Sequence, residues 1–475
     1  MPGPVVPLAA QSVHGTVWTL ANRFGVVARS PGELIGALTG LGLTGAAVVT
    51  CPPAAGEPAE VAELVRALTD LGHVRLVPPP GRKQGNGDDG APPPEPEAAP
   101  RPPGTAPDAV VDGLGREGRA GPSDLGDPAV VCAADPAGVT AAYEHGTDVP
   151  GGGPGGHGGS HGHPDPPDGR DEHGGLRAAW FRAGQSLIRE QPPAERALVL
   201  LTALGDDADP RLRPALNALA ATAPWRSDWT RVRGDVAPPW PGPVAALAQG
   251  TGRWAEHLLV ADQRGAIRSV RPADATPAPG TAAMPVRITA LAPLPDGTLL
   301  MLDERGRLRA HGDTPLTDAV AATLDAHPGT ALTATGRLVL VGDRHGSLHA
   351  FGYDGMHQAA AHRGRVTAVA VADGPAPLVC SGGADGTVRT WTPGRSPENT
   401  PLAERDFPVT ALAARGRTLA VAWADGLVEL RRLGTAEVLP LRPGPPVRAV
   451  AVAGEGSVVI GTDDTLFRVT ARAPS

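Results

Sequence analysis

Residues equipped for chemistry fall into a few short groups along this 475-residue chain. Gly158-Gly-Ser160-His-Gly162 has the spacing of a nucleophile elbow. Such an elbow needs a strand-to-helix turn to expose the serine, and Ser160 sits in a glycine tract with neither, so no nucleophile is assigned. Gly85-Asn-Gly87-Asp-Asp-Gly90 has the spacing of a dinucleotide loop, but Ala91-Pro-Pro-Pro follows where a helix N-terminus would have to hold the pyrophosphate. His157, His161 and His163, with His145 and His173 nearby, carry imidazoles suited to Zn²⁺ or Ni²⁺. A glycine tract gives them no rigid surroundings, so no metal site is assigned. Cys51 ends an apolar run where an open parallel sheet places its crevice, with His14 or His73 as the imidazoles that could pair with it. A buried structural thiol is the simpler reading. The last group is His362, Ser381, Asp385 and Trp391. A buried imidazole and a buried indole each require a hydrogen-bond partner, and a network of this kind rigidifies a core more often than it catalyses. No catalytic residue and no cofactor is assigned.

The elements that position this last group repeat along the chain. Glycines closing an inner hairpin turn recur at Gly265, Gly306, Gly346, Gly386 and Gly426, with Thr465 in the sixth place, at spacings of 41, 40, 40, 40 and 39. A strand precedes each turn, as in Val244-Ala-Ala-Leu, Ile288-Thr-Ala-Leu, Val366-Thr-Ala-Val, Val409-Thr-Ala-Leu and Val447-Arg-Ala-Val. Only Ala331-Leu-Thr-Ala stands in the third place. A second apolar run follows each, among them Leu258-Leu-Val-Ala and Leu338-Val-Leu-Val, ending in a turn that Asp and Gly tolerate. A period near forty residues made of short strands predicts an all-β propeller of four-stranded blades. Six blades are counted, and the hairpin-like stretch from His14 to Arg29 is a candidate for a seventh. An unpaired edge would template aggregation, so the ring must be closed from its other end; Trp229 to Val236 is the candidate strand, completing the blade that ends near Val469.

The unit from His362 to Trp391 resembles a blade of the WD-repeat family, through His362-x-x-x-Val366, Ser381, Asp385-Gly386 and Trp391. The resemblance covers residues 240–475, and the N-terminal half resembles no family. It implies that Asp385 accepts from His362, that His362 bonds Ser381, and that Ser381 reaches the Trp391 N–H. Phe351 replaces the Trp in one other unit, and Val270, His311, Arg431 and Thr470 stand in its place elsewhere, so the full network is expected once. The resemblance further implies a rigid platform for proteins or peptides with no chemistry of its own. The exposed candidates for such contacts are Arg264, Arg305, Arg344 and His345, on the turns.

Composition sets the remaining limits. Gly 63 and Pro 54 of 475 residues point to long segments with little to bury, and a net charge of −8 favours neither a nucleic-acid nor an anionic-membrane partner. Lys83 is the single lysine against many arginines, a bias that resembles a high-GC bacterial genome. Cys51, Cys132 and Cys380 are widely spaced in apolar runs, as expected of buried thiols in a reducing compartment. The start of the chain lacks a basic, apolar leader and no run reaches the ~18 apolar residues of a membrane span, so a cytoplasmic protein is expected.

In chain order, residues 1–80 read as a small α/β unit. It holds a helix begun by the capping box Ser30-Pro31-Gly32-Glu33, a strand at Ala46 to Cys51, a helix from Glu57 to Leu71 and a strand at Val74 to Val77. Residues 81–128 read as a disordered Pro/Gly-rich linker, 129–145 as a further strand and helix of the α/β unit, and 146–174 as a Gly/His-rich linker. Residues 175–226 read as a helical connector, and 227–475 as the propeller. The reading is a non-enzymatic scaffold for an unidentified protein or peptide. Its alternative is a signalling or hydrolytic protein whose N-terminal α/β unit is catalytic, with strand ends at Cys51 and at Cys132 to Asp135 converging on one rim.

Overall fold

The computed structural model describes residues 5–7, 12–40, 47–50, 59–71, 74–77, 124–145, 173–233 and most of 244–472. Three short parallel strands, β1 (Val5–Pro7), β2 (Ala47–Thr50) and β3 (Val74–Val77), pair in the order β1-β2-β3. Helices α1 (Val13–Phe24), α2 (Pro31–Gly40) and α3 (Ala59–Asp70) lie between them in sequence. The β2-α3-β3 order is the parallel pair with a crossover helix that the apolar runs predict.

Two expectations fail in this half. The run from His14 to Arg29 is the helix α1, not a hairpin: Ser12 caps its start by accepting from the Gly15 N–H, and Gly25 ends it at φ 65°. No seventh blade can come from it. Likewise Ala129 to Ala133 is helical. Asp127 caps α4 (Pro128–Ala133) and Pro128 occupies its first turn, and a second helix follows as α5 (Pro136–His145). A five-residue apolar run fits either state, and the Asp-Pro start decides it.

The predicted connector folds as α6 (Leu176–Leu187), α7 (Pro193–Leu201) and α8 (Leu212–Leu219). Trp180, Leu187, Leu201 and Trp225 share one apolar core with Tyr143 and Trp18 on one side and with Val428, Leu441, Val452 and Phe467 on the other. Burying a Trp or Leu side chain in this way contributes roughly 1.5–3 kcal/mol each, so the helices and the propeller stabilise one another directly. Gly184 permits a close approach of α6 to α1, since a Cβ there would lie 2.0 Å from the Trp18 ring.

Six sheets then form a propeller. Strand β4 (Trp225–Val232) comes first in sequence. Blade one holds β5 (Val244–Gln249), β6 (Leu258–Asp262), β7 (Ala266–Val270) and β8 (Ala282–Ala283). Blade two holds β9 (Ile288–Pro293), β10 (Leu299–Asp303) and β11 (Leu308–His311). Blade three holds β12 (Gly329–Thr335), β13 (Leu338–Asp343), β14 (Ser347–Gly352) and β15 (Gly355–Ala360). Blade four holds β16 (Val366–Ala372), β17 (Leu378–Gly383), β18 (Thr387–Trp391) and β19 (Ala403–Glu404). Blade five holds β20 (Val409–Arg415), β21 (Thr418–Trp423), β22 (Val428–Arg432) and β23 (Val438–Leu441). Blade six holds β24 (Ala449–Gly454), β25 (Ser457–Gly461) and β26 (Thr465–Ala471), and β4 supplies its outer strand.

The ring therefore closes as the edge argument requires, with Val232 opposite Thr465 and Trp225 opposite Ala471. The closing strand begins at Trp225, and Val236 lies outside the described residues. Blade two departs from the repeat. After β11 the chain forms a helix, α9 (Pro315–Ala326), begun by a capping box between Thr314 and Thr317. Its Leu316, Val320 and Leu324 pack against Leu300 and Leu302 of blade two and Val339, Val341 and Phe351 of blade three. The helix thus fills the wedge between two blades and does not pair as a fourth strand.

Candidate interaction site on the propeller

The group from His362 to Trp391 assembles around the turn between β17 and β18. The His362 ring is buried, with Nδ1 3.1 Å from Asp385 Oδ1 and Nε2 2.9 Å from the Ser381 hydroxyl. Thr387, which the sequence reading passed over, donates its hydroxyl to Asp385 Oδ1 at 2.8 Å, and the Arg363 N–H donates to Oδ2 at 2.9 Å. Burial holds the His362 pKa below its ordinary value, against the pull of Asp385. Burial also pushes the Asp385 carboxyl up, but the hydrogen bonds from Arg363, Thr387 and His362 outweigh it and leave the pKa low. A neutral imidazole that donates to a carboxylate and accepts from a hydroxyl has no nitrogen left for a substrate. Trp391 is not reached by Ser381. Its indole donates to the Arg395 carbonyl at 2.8 Å, in the turn leading to the outer strand, while the Ser381 hydroxyl is taken by His362.

Blade five builds the same tie from other residues. Arg405 stands four residues before Val409, as His362 stands before Val366. It forms a two-pronged pair with Asp425, each N–O distance 2.9 Å, and Arg442 adds a third contact at 3.0 Å. The Arg405 guanidinium also lies 5.0 Å from the Phe407 ring and 5.2 Å from the Trp423 ring. Burial pushes Asp425 up, yet the two arginines hold its pKa below the usual range. In blades one to three the carboxylate instead ends the second strand. Asp262, Asp303 and Asp343 accept from backbone N–H groups within their own turns: Arg264 and Ala266, Arg305 and Arg307, His345 and Ser347. Arg309 and His349 reach the second oxygens of Asp303 and Asp343.

Because strands alternate in direction, every turn between second and third strands lies at the same end of the propeller as every link into the next inner strand. That end carries exposed Arg264, Arg287, Arg305, Arg344, Arg363 and Arg365, together with exposed His345. Among the described residues none of these arginines has a carboxylate partner. They surround a central channel lined by inner strands, with Thr289, Thr330, Thr367, Thr410 and Arg448 toward one mouth. Three of those threonines turn inward, to the carbonyls of Leu302, Gly342 and Gly382. Exposed Glu304 and Asp406 share that end, where, among the described residues, exposed arginines outnumber exposed carboxylates.

The N-terminal candidates are placed less fully. Cys51, His73, Ser160, His157, His161, His163 and the Gly85–Gly90 loop lie outside the described residues. His14 is bonded through Nδ1 to Glu144 on α5 at 2.5 Å. Burial acts to raise the Glu144 pKa, but hydrogen bonds from His14 and Ser12 hold it low. Cys132 is buried in α4, so the strand end at Cys132 to Asp135, invoked for a catalytic rim, does not exist. Burial pushes the thiols of Cys132 and Cys380 up to about 12, which leaves them protonated and unreactive at neutral pH. Among the described residues no helix is long and apolar enough to cross a membrane.

No protein-family model and no curated protein matches the chain. Solved structures similar to it include U3-55K, at 11% identity over 53% of this chain and 99% of that one, with a TM-score of 0.38. The WD40 β-propeller domain of Doa1 is 12% identical over 53% and 98%, with a TM-score of 0.37. The computationally designed Ika8 protein is 20% identical over 48% and 71%, with a TM-score of 0.34. At such identities and TM-scores these likenesses add nothing to what the six sheets themselves establish.

Proposed function

We propose that this protein is a non-enzymatic interaction platform whose propeller binds acidic segments of protein partners at its arginine-bearing end. The observation that carries this reading is the set of exposed arginines, Arg264, Arg287, Arg305, Arg344, Arg363 and Arg365, held on turns pinned by Asp262, Asp303, Asp343 and Asp385. A rigid turn holds its backbone in place before binding, so a carboxylate arriving there finds donors already positioned. The guanidinium fork matches a carboxylate in two-pronged fashion. The His362 network and the Arg405–Asp425 pair serve as supports for these turns and not as reactive groups.

The test uses the full chain, because β4 and the helical core cannot be cut from the propeller without opening its ring. Wild-type protein and an Arg264→Glu/Arg305→Glu/Arg344→Glu variant are used as baits in nuclease-treated native lysate, with mass-spectrometric readout. Proteins with acidic segments retained by the wild type and lost by the variant are the expected result. Identical capture by both baits overturns the reading, as does wild-type binding to RNA or DNA in place of protein.

A further inference from the structure

Among the described residues blade two is the blade without a fourth strand, and its third strand is exposed. Arg309, Ala310 and His311 of β11 all face solvent, whereas β7, β14, β18, β22 and β26 are mostly buried. The direction of the open backbone groups follows from the turn. Asp303 N–H donates to the Arg307 carbonyl at 3.0 Å, so residues 303 and 307 form a hydrogen-bonded pair. Such pairs alternate along an antiparallel ladder, so Met301 with Arg309 and Leu299 with His311 are also bonded. The N–H and C=O groups of Leu308 and Ala310 therefore point away from β10.

At the equivalent positions of blade four, Val388 and Thr390 accept from the Leu402 and Glu398 N–H groups, and in blade one Ser269 accepts from Ala278. Among the described residues no hydrogen bond reaches the Leu308 or Ala310 backbone from outside. Helix α9 packs its apolar side against Leu308 and into the space between blades two and three, and leaves Arg309, Ala310 and His311 exposed.

The molecule already contains a blade completed by a segment remote in sequence. Strand β4 pairs with β26, and its Asp228 takes Arg468 at 3.2 Å and the Thr470 hydroxyl at 2.5 Å. Arg468 stands three residues after Thr465, as Arg309 stands three after Gly306. On β11, Arg309 and His311 share one face and Leu308 and Ala310 the other. Arg309 already pairs with the buried Asp303 at 3.1 Å, yet its side chain stays 45% exposed and can share its guanidinium with a second carboxylate. This arrangement favours carboxylates on one side of an incoming strand and apolar residues on the other. A second copy of this chain fits poorly, because antiparallel pairing of β11 with itself sets Arg309 and His311 against their own kind.

We infer that the outer edge of β11 accepts an extended, alternately acidic and apolar segment of a partner protein as the missing fourth strand of blade two, with a carboxylate opposite Arg309. Main-chain hydrogen bonds to Leu308 and Ala310 supply the affinity and the Arg309 pair the preference. This site is on the rim and is independent of the arginine-bearing end.

The test titrates the full chain with a fluorescein-labelled peptide of alternating Asp and Val, by fluorescence polarisation, and follows amide hydrogen exchange over residues 307–311. Saturable binding is expected, with the Leu308 and Ala310 amides exchanging freely in the unliganded chain and protected in the complex. N-methylating alternate residues of the peptide, or the substitution Ala310→Pro, removes main-chain donors and lowers affinity at least about tenfold, and Arg309→Glu lowers it by about tenfold. Arg264→Glu leaves it within about twofold. Circular dichroism verifies that Ala310→Pro and Arg309→Glu, the latter without the Arg309–Asp303 pair, remain folded, and the N-methylated peptide makes the main-chain test on unaltered protein. The inference is overturned by no binding at millimolar peptide, or by equal affinity for the N-methylated peptide. It is equally overturned by protection of these amides in the free chain, which would mean that a segment of the chain itself covers the edge, or by a dimer that Ala310→Pro dissociates.

Discussion

Blades three and four use the same residue types to opposite ends. In blade three, Asp343 gathers the N–H groups of its own turn and holds His349, both side chains nearly sealed from solvent at 2% and 1% exposure. In blade four, Asp385 reaches across to His362 on the incoming link and to the Arg363 N–H, so the carboxylate joins two segments of chain. The first arrangement stiffens a hairpin. The second also fixes the segment that joins one blade to the next, and blade five repeats it with Arg405 and Asp425.

The largest effect is expected where the joining carboxylate is most heavily used. Asp425→Ala strands Arg405 and Arg442 without their anion and should cost about 3–5 kcal/mol in urea unfolding, the range for breaking a buried pair. His362→Ala comes next, at about 2–3 kcal/mol, because it leaves both Asp385 and Ser381 unpaired in a buried site. Asp343→Ala should cost about 1–2 kcal/mol. The comparison predicts a difference in kind as well. Hydrogen exchange should quicken across residues 361–365 in an Asp385→Ala variant, and only across the turn 343–347 in Asp343→Ala. Equal spreading in both would end the distinction.

Acid sharpens the same contrast. His362 is held below its ordinary value of 6.5 chiefly by burial, so the unfolded chain binds a proton that the folded chain refuses. The stability this confers is complete above about pH 6.5 and is lost as pH falls toward the folded value. Asp385, held below 3.8, adds a second loss as pH falls below that value. The thermal midpoint should therefore drop between pH 7 and 5, and His362→Asn should flatten that segment of the profile while Asp343→Ala leaves it intact. The smallest effect is reserved for the exposed pair Arg307–Asp325, where Arg307→Ala should change stability by less than about 0.5 kcal/mol.

The propeller was legible because its information is local and repeated. A glycine at φ 74° to 92° closes the turn in Gly265, Gly306, Gly346, Gly386 and Gly426, a backbone state that other residues adopt at a cost. The helix α9 was not legible from the period, since the spacing from Gly306 to Gly346 is the ordinary 40. The start signal was nonetheless present in Thr314-Pro315-Leu-Thr317. The partner of Trp391 was missed for a geometric reason: residue identity says that an indole needs an acceptor, and only the path of the following turn places the Arg395 carbonyl there. The tie in blade five was hidden by chemistry, because an Arg–Asp pair does in that place what His–Asp does in blade four.

The closing pair of β4 and β26 bears on how the protein is made. Strand β4 leaves the ribosome before any complete blade, and β26 after all the others, so β4 is synthesised long before its partner exists. During that interval Trp225 and Trp229 belong to a strand with nothing to pair with, next to helices whose own core needs blades five and six. Synthesis stalled anywhere within the ring would yield a chain with two open edges and an incomplete helical core, a species suited to aggregation or to capture by a chaperone. Quality control of this protein therefore falls on its last blade.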